Sequence, residues 1–164
     1  SDAAFDTDEL RKLDAQLNLA RRELFAYLGI AISNDPAEMK MSKSDPDSGI
    51  YLHDGEDDIR RKIKKAWCPE GVPDNPVTEI CKMIIFPQGR TLEIKRPDKW
   101  GGNLSIKDYD ELRKLFIKKE LHPADLKKSV ANEMVAILDK FRTYFKENPE
   151  TMKVVKRHSK SIGR

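Results

Sequence analysis

The chain has 164 residues, a length typical of one domain or of one domain with a short extension. Charged residues make up 36% of it and hydrophobic residues 38%, so we expect a modest core surrounded by amphipathic elements with charged outer faces. Its apolar runs are shorter than the roughly 18 residues of a membrane span, and its two cysteines are too few for a disulfide framework. These totals, with a net charge of only +3, favour a cytoplasmic protein without membrane segments.

The N-terminal third predicts one helix followed by a loop. Asp6 and Glu9 have the spacing of a capping box, leucines recur every three or four residues, and Gly29 is a natural end. Together they predict a helix over residues 6–28. The loop Lys40-Met41-Ser42-Lys43-Ser44 and its Asp-, Pro- and Gly-containing exit follow. Two ammonium groups, two hydroxyls and free backbone N–H groups suit a polyphosphate, but an ordinary solvated loop has the same composition.

From Asp54 onward, the pattern predicts mainly helices joined by short loops that contain proline. Residues 51 and 52 form a short extended piece. Asp54 is the expected N-cap of a helix over residues 55–67, whose basic side chains, Lys62 among them, face mostly outward. The inward face of this helix consists of Ile59, Ile63 and Trp67.

The middle of the chain predicts a short helix, a strand and a loop. Asn75 followed by Pro76 is the pattern of an N-cap and a first helical residue, and we expect this helix to end at Pro87. Residues 91–95 alternate between polar and apolar side chains and predict a short strand. Residues 97–103, which include proline and two glycines, predict a loop.

The last third predicts three helices. Ser105 together with Asp108 is expected to cap the first, and the second runs over residues 123–146. Asn148-Pro149 restarts a short third helix. The apolar stripe of the long helix consists of Leu126, Val130, Met134, Ile137, Phe141, Tyr144 and Phe145.

Three smaller features have separate interpretations. Cys68 and Cys81 are expected to be packing residues without thiol chemistry, and no group of side chains has metal-ligand spacing. The C-terminal tail is basic, which indicates an RNA contact, an acidic-surface contact or a disordered end. Its basic residues are Lys153, Lys156, Arg157, Lys160 and Arg164.

Four segments then follow one another in a fixed order. They are KMSKSDP at 40–46, IRRKIKKAWCPEG at 59–71, IKRPDKWGGN at 94–103 and ELHPADLK at 120–127. The series resembles the C-terminal half of tyrosyl-tRNA synthetases of the archaeal and eukaryotic type, which are class I aminoacyl-tRNA synthetases. The first segment is shared by several class I enzymes and is similar to the tryptophanyl ones as well, whereas the other three favour the tyrosyl family.

The resemblance implies a mainly α fold. A helical bundle with a short extended segment forms the anticodon-binding domain, and a helix and the KMSKS loop precede it. The implied division is residues 1–53 for the end of the catalytic domain, 54–148 for the anticodon-binding domain and 149–164 for a short helix and basic tail. The Rossmann half of the family, with its tyrosine pocket, is not recognisable here. We therefore expect no tyrosine activation by this chain alone, and a homodimer only in the full-length enzyme.

For the loop, the resemblance implies ATP binding by Lys40, Met41, Ser42, Lys43 and Ser44. Lys40 and Lys43 have the catalytic role, because positioned ammonium groups stabilise the negative charge that develops on the leaving pyrophosphate as the tyrosine carboxylate attacks the α-phosphate. Mg²⁺ shares that role in the complete enzyme, and we expect no protein ligand for a metal in this chain.

For the helical domain, the resemblance implies that Trp100 and His122 stack on the first anticodon base, while Asp125 accepts hydrogen bonds from a guanine edge. From their spacing alone, purely structural roles are favoured. Trp100 could pack under its own loop, and His122 and Asp125 could serve only the N-terminus of a helix. Flanking basic residues are candidates for phosphate contacts. They are Lys95, Arg96, Lys99, Lys127 and Lys128.

The predicted function is therefore that of the C-terminal region of a tyrosine–tRNA ligase in protein biosynthesis. This region combines an ATP-phosphate loop with anticodon recognition of tRNA(Tyr), and its other partner is the missing catalytic half, in cis or in trans. Two alternatives are a non-catalytic tRNA-binding module derived from a synthetase and a fragment of a tryptophanyl enzyme. The segments around Trp100 and His122 disfavour the second.

Overall fold

The computed structural model describes residue 47 and residues 49–154. The predicted helix over residues 6–28, the loop at residues 40–44 and the tail beyond residue 154 lie outside the described residues. The mainly helical character is confirmed for the described part. Its elements are α1 (Glu56–Lys65), α2 (Pro76–Ile80), β1 (Leu92–Ile94), β2 (Leu104–Ile106), α3 (Tyr109–Ile117) and α4 (Pro123–Glu147), and residues 149–154 are again helical.

Helix α4 is the element on which the others pack. Its predicted apolar stripe is confirmed, because Leu126, Val130, Met134 and Leu138 are fully buried against α1, α2 and β1. Polar contacts in the middle and in the last turn of α1 reinforce this packing. Arg60 Nη1 donates to Asn132 Oδ1 at 2.7 Å, and Lys127 Nζ donates to the Lys64 carbonyl at 3.1 Å. The remaining core residues include Ile59, Ile63, Ile85, Leu92, Ile94, Ile106, Leu112, Phe116 and Leu121.

The beginning of α1 differs from the sequence-based prediction. The N-cap is Gly55 and not Asp54, whose carboxylate instead accepts hydrogen bonds from the Tyr51 N–H at 2.8 Å and from Lys62 Nζ at 2.7 Å. The expectation that Lys62 faces outward is also wrong, since only 3% of it is exposed. Its ammonium group is satisfied by Asp54, by the Gly49 carbonyl at 2.9 Å and by the face of the Tyr51 ring. Residues 51–54 therefore form a turn and not an extended piece.

Helix α2 begins as predicted, and helical turns of two other types continue it to Gln88, one residue beyond the predicted stop. Asn75 and Thr78 form a capping box, and Pro76 is the first helical residue. The chain then widens into a π-helical turn over Cys81–Ile85, in which the Phe86 N–H donates to the Cys81 carbonyl, and tightens into a 3₁₀ turn over Phe86–Gln88. Because this change of hydrogen-bond pattern lets the backbone pass Pro87, the expected stop at that proline is wrong.

The predicted strand is confirmed as β1, but its partner was not expected. Strand β2 pairs antiparallel with β1, with Glu93 opposite Ser105, so Ser105 belongs to a strand and does not cap the next helix. Asp108 alone caps α3, by accepting a hydrogen bond from the Glu111 N–H at 2.8 Å. The hairpin places residues 97–103 at one end of the sheet, beside the turn that leads into α4.

Candidate anticodon-binding site

Trp100 lies at the exposed tip of the β1–β2 hairpin. It is the last residue of a 3₁₀ turn over Asp98–Trp100, and 65% of it is exposed. The alternative that Trp100 packs beneath its own loop is therefore wrong. The Lys99 ammonium lies 5.5 Å from the centroid of the indole ring, so a positive charge accompanies the exposed aromatic surface. A solvated indole beside a cation is suited to stacking on a splayed-out base.

The hairpin turn is held in one conformation by its own backbone. The Trp100 and Gly102 N–H groups both donate to the Pro97 carbonyl, at 2.9 and 3.2 Å. Gly101 and Gly102 have φ angles of +95° and +68°, a region that residues with a side chain rarely adopt. The Gly-Gly pair therefore allows the chain to turn back into β2 directly behind Trp100.

His122 and Asp125 lie in the first turn of α4. The predicted cap is confirmed, since His122 Nδ1 accepts a hydrogen bond from the Ala124 N–H at 3.1 Å. An accepting Nδ1 leaves the proton of the neutral ring on Nε2, and the ring itself is exposed. The Asp125 carboxylate is partly buried and accepts no hydrogen bond from any described residue. Both side chains keep polar atoms available for a ligand.

Arg96 connects the hairpin turn to the turn before α4. Its Nε donates to the Gly102 carbonyl at 2.8 Å, and its Nη1 donates to the Glu120 carbonyl at 2.6 Å. Gly102 lies two residues after Trp100, and Glu120 lies two residues before His122. The structure thus brings the two predicted recognition segments together at one edge of the domain, although they are separated by α3 in the sequence.

The basic residues that were predicted to flank the site differ in what they contact. Lys95 and Lys128 are exposed and have no acidic partner among the described residues, so they remain candidates for phosphate contacts. Lys127 instead donates to a backbone carbonyl of α1. Sequence reasoning grouped Arg96 with these lysines and missed its two carbonyl contacts. The sequence signal for these contacts was the Gly101-Gly102 pair. Glycines that follow an arginine within one turn leave room for its side chain.

The predicted ATP site lies outside the described residues, and the described part of the chain begins just after it. The ATP-binding residues Lys40, Met41, Ser42, Lys43 and Ser44 lie outside them. Asp47, which follows the loop, forms ion pairs with Arg61 and Lys65, and the Arg61 guanidinium holds the pKa of this carboxyl below its usual value. The structure therefore describes the chain leaving the predicted ATP loop but not the loop itself.

The cysteines are buried, as expected of packing residues. Burial raises the pKa of the Cys68 thiol to about 11 and also raises the pKa of the Cys81 thiol. Within residue 47 and residues 49–154, no three acidic, histidine or cysteine side chains are grouped so that they could hold a metal ion. In the same part of the chain, no helix is both long and apolar enough to cross a membrane.

Comparison with known proteins shows the family to which this chain belongs. The model of the family described as tRNA synthetases class I (W and Y) matches residues 21–139. The chain belongs to this class I tRNA synthetase family. The match begins before the predicted ATP loop and ends within α4, so it includes all residues of both candidate sites.

Individual relatives narrow the family to its tyrosyl members. The tyrosine–tRNA ligase of Saccharolobus solfataricus is 43% identical over 129 residues, which are 78% of this chain and 35% of that protein. A crystal structure of tyrosyl-tRNA synthetase from Pyrococcus horikoshii, complexed with L-tyrosine, is 34% identical, with a TM-score of 0.70 over 79% of this chain and 39% of that one. The Leishmania major tyrosyl-tRNA synthetase in complex with fisetin is 31% identical, with a TM-score of 0.59, over 70% of this chain and 17% of that one. The predicted resemblance to archaeal and eukaryotic tyrosyl enzymes is confirmed, and the chain spans about a third of the archaeal relatives.

Proposed function

We propose that the chain is the C-terminal region of a tyrosine–tRNA ligase and that residues 54–148 form its anticodon-binding domain. In this domain, Trp100 and His122 stack on the first anticodon base of tRNA(Tyr), and Asp125 accepts hydrogen bonds from the guanine edge. The observation that carries the proposal is that Arg96 joins two segments, one with an exposed indole and one with a carboxylate that accepts no hydrogen bond from the described residues.

The expected energies fit such a role. Stacking of one base on an aromatic side chain is worth about 1–3 kcal/mol. A carboxylate that accepts from two N–H groups of guanine adds a charge-assisted interaction of about 1.5–3 kcal/mol. Asp125 is suited to this because its acceptors are not already used within the described part of the protein. Adenine lacks the N1–H and N2 amino donors of guanine and offers only its N6 amino group, so it cannot make the same paired contact and is disfavoured.

We propose that the loop of residues 40–44 binds the phosphates of ATP when the catalytic half is present. Lys40 and Lys43 then stabilise the leaving pyrophosphate, and Mg²⁺ supplies further positive charge there. The catalytic half is supplied in cis or in trans, and residues 1–53 belong with it, whereas residues 149–164 form a short helix and basic tail. The full-length enzyme acts in the cytoplasm as a homodimer.

Variants of Asp125 test the anticodon proposal. Asp125→Ala should weaken binding to a tRNA(Tyr) transcript about tenfold, a loss of about 1.4 kcal/mol. It should change binding much less when adenine replaces guanine at the first anticodon position, because adenine lacks the N1–H and N2 amino donors that the carboxylate accepts from guanine. Equilibrium titration of both labelled transcripts measures the difference.

Asp110 is a matched control for this experiment. It is also an acidic residue in the first turn of a helix, α3, where it favours the helix dipole in the same way but lies outside the candidate site. Asp110→Ala should leave the preference for guanine unchanged. If Asp125→Ala weakens both transcripts equally, then Asp125 stabilises the helix and does not read the base.

A non-catalytic tRNA-binding module remains the second candidate. It is favoured by the fact that the candidate anticodon surface is built within residues 96–125, separately from the predicted ATP loop. Tyrosine-dependent pyrophosphate exchange distinguishes the two functions. Exchange that appears when a separate Rossmann half is added to the chain supports a ligase region. RNA binding without restored exchange supports the module.

A further inference from the structure

One partly buried arginine beside the candidate site donates to backbone carbonyls of two segments. The Arg96 guanidinium donates through Nε to the Gly102 carbonyl and through Nη1 to the Glu120 carbonyl, at 2.8 and 2.6 Å. The backbone N–H of Arg96 also donates to Asn103 Oδ1 at 3.1 Å. The whole residue is therefore fixed at the base of the hairpin turn, and its planar side chain reaches across to a second segment.

One hydrogen bond joins the hairpin turn directly to the turn before α4. Among the described residues, the contact between Arg96 and Glu120 is the only hydrogen bond that joins residues 94–106 to the turn at residues 118–122. The hairpin turn and the first turn of α4 each have their own internal hydrogen bonds. The body of the hairpin is anchored to α4 by Ser129 Oγ, which donates to the Glu93 carbonyl at 2.6 Å, and by the shared core. At the end of the hairpin that carries Trp100, Arg96 supplies the described hydrogen bond to the turn before α4.

Gly101 lies so close to the Arg96 guanidinium that a side chain at this position has no space. A Cβ atom on Gly101 would lie 2.8 Å from Arg96 Nη2, a distance that real Cβ contacts do not show. An alanine at position 101 would therefore displace the guanidinium, in addition to the strain from its φ of +95°. Gly101 thus keeps open the space through which Arg96 reaches the Glu120 carbonyl.

We propose that Arg96 is a positioning residue that sets discrimination at the first anticodon base without contacting that base. By joining the carbonyls of Gly102 and Glu120, it fixes the distance between the Trp100 ring and the His122–Asp125 turn. Asp125 can then reach the edge of a base only when that base is stacked on Trp100. This inference rests on the proposed anticodon-binding function.

This positioning role of Arg96 differs from an ordinary contact between an arginine and a phosphate. A phosphate contact depends on charge, is largely kept by lysine, and changes the binding of all sequences alike. A bridge between two carbonyls depends on the guanidinium fork, which one ammonium group cannot replace. Arg96→Lys and Arg96→Ala should therefore behave alike if Arg96 is a positioning residue.

The first measurement needs no RNA. In a Trp67→Phe background, Trp100 is the remaining tryptophan of the chain, and its fluorescence anisotropy decay reports the motion of the hairpin turn. Arg96→Ala and Arg96→Lys should each add a fast depolarisation component that the parent lacks. An unchanged decay in both variants would overturn the claim that Arg96 fixes the turn.

The second measurement is the ratio of dissociation constants for tRNA(Tyr) transcripts with adenine and with guanine at the first anticodon position. Arg96→Lys, Arg96→Ala and Gly101→Ala should each reduce this ratio about tenfold. The control is Arg90→Lys, which makes the same exchange at a 2.5 Å ion pair to Glu133 on α4, outside the site, and should keep the parental ratio. Thermal denaturation of each variant excludes loss of folding as the cause.

The outcomes separate this inference from the function on which it rests. If the parent discriminates and the two Arg96 variants keep its ratio, or if lysine restores it, the positioning role is refuted. If the parent does not discriminate, the anticodon proposal fails, and the claim about discrimination fails with it. In that case the anisotropy decay still decides whether Arg96 holds the hairpin turn.

Discussion

The buried ion pair between Lys62 and Asp54 allows a sharp test of the described fold. Lys62→Met removes the ammonium group and keeps a side chain of similar length. Asp54 is then a buried carboxylate whose remaining described hydrogen bond comes from the Tyr51 N–H, and the Gly49 carbonyl loses its donor. Breaking a buried pair by removing one partner costs about 3–5 kcal/mol. We expect the lower end, about 3 kcal/mol, because the Tyr51 hydrogen bond persists.

Urea denaturation of the chain measures this loss. A domain of this size has a total stability of about 5–15 kcal/mol, so a loss of about 3 kcal/mol is a large fraction of it. With a slope of about 1.5–2 kcal/mol per molar urea, the midpoint falls by about 1.5–2 M. The matched control is Lys153→Met, which breaks an exposed pair with Glu150 and should cost less than about 0.5 kcal/mol.

The double variant Lys62→Met, Asp54→Asn decides whether the buried charge is the cause. It removes both charges and keeps an acceptor for the Tyr51 N–H, so it should be more stable than Lys62→Met alone. The reasoning is refuted if Lys62→Met costs less than about 1 kcal/mol. It is equally refuted if the double variant is the less stable of the two, because the cost would then come from packing.

Two further predictions concern α2 and the cysteines. Asn75→Ala removes the side chain that accepts from the Val77 and Thr78 N–H groups, and it should lower the free energy of unfolding by about 1–2 kcal/mol in urea denaturation. Asn75→Asp keeps the acceptor, and a loss as large as that of alanine would contradict the cap. The Cys68 thiol has its ordinary pKa of 9.0 in the unfolded chain and about 11 in the folded chain, so its contribution to stability is complete below pH 9 and is lost as the pH rises to 11. Cys68→Ser should reduce this loss in urea denaturation across that range, and an identical pH dependence in both proteins would contradict it.

Features that depend on neighbouring residues were predictable from the sequence. The long helix α4, its apolar stripe and its cap at His122 follow from spacing and from the His-Pro pair, and the cap at Asn75 follows from the Asn-Pro pair. The family resemblance was equally predictable, since each of its four segments is a continuous stretch of sequence. Each of these signals is contained within a few turns of the chain.

Features that depend on distant contacts were not predictable in this way. Lys62 is buried because Asp54 and the Gly49 carbonyl surround it, and a helical pattern only shows a lysine among other basic residues. Strand β2 is ordered by pairing with β1, whereas the local sequence assigned its Ser105 to the cap of the next helix. The role of Arg96 depends on a carbonyl 24 residues away. Single residues of the site could therefore be named from the sequence, but not the contact that joins them.

The most direct test of the account is whether the first anticodon base lies against Trp100. An anticodon stem-loop of tRNA(Tyr) that carries 2-aminopurine at this position is fluorescent when the base is unstacked and is quenched when it stacks on an aromatic ring. We predict quenching when the chain binds, and its loss in Trp100→Ala under conditions in which the RNA remains bound. Unchanged or increased fluorescence on binding of the parent chain, or equal quenching by Trp100→Ala, would contradict the proposed recognition of the anticodon.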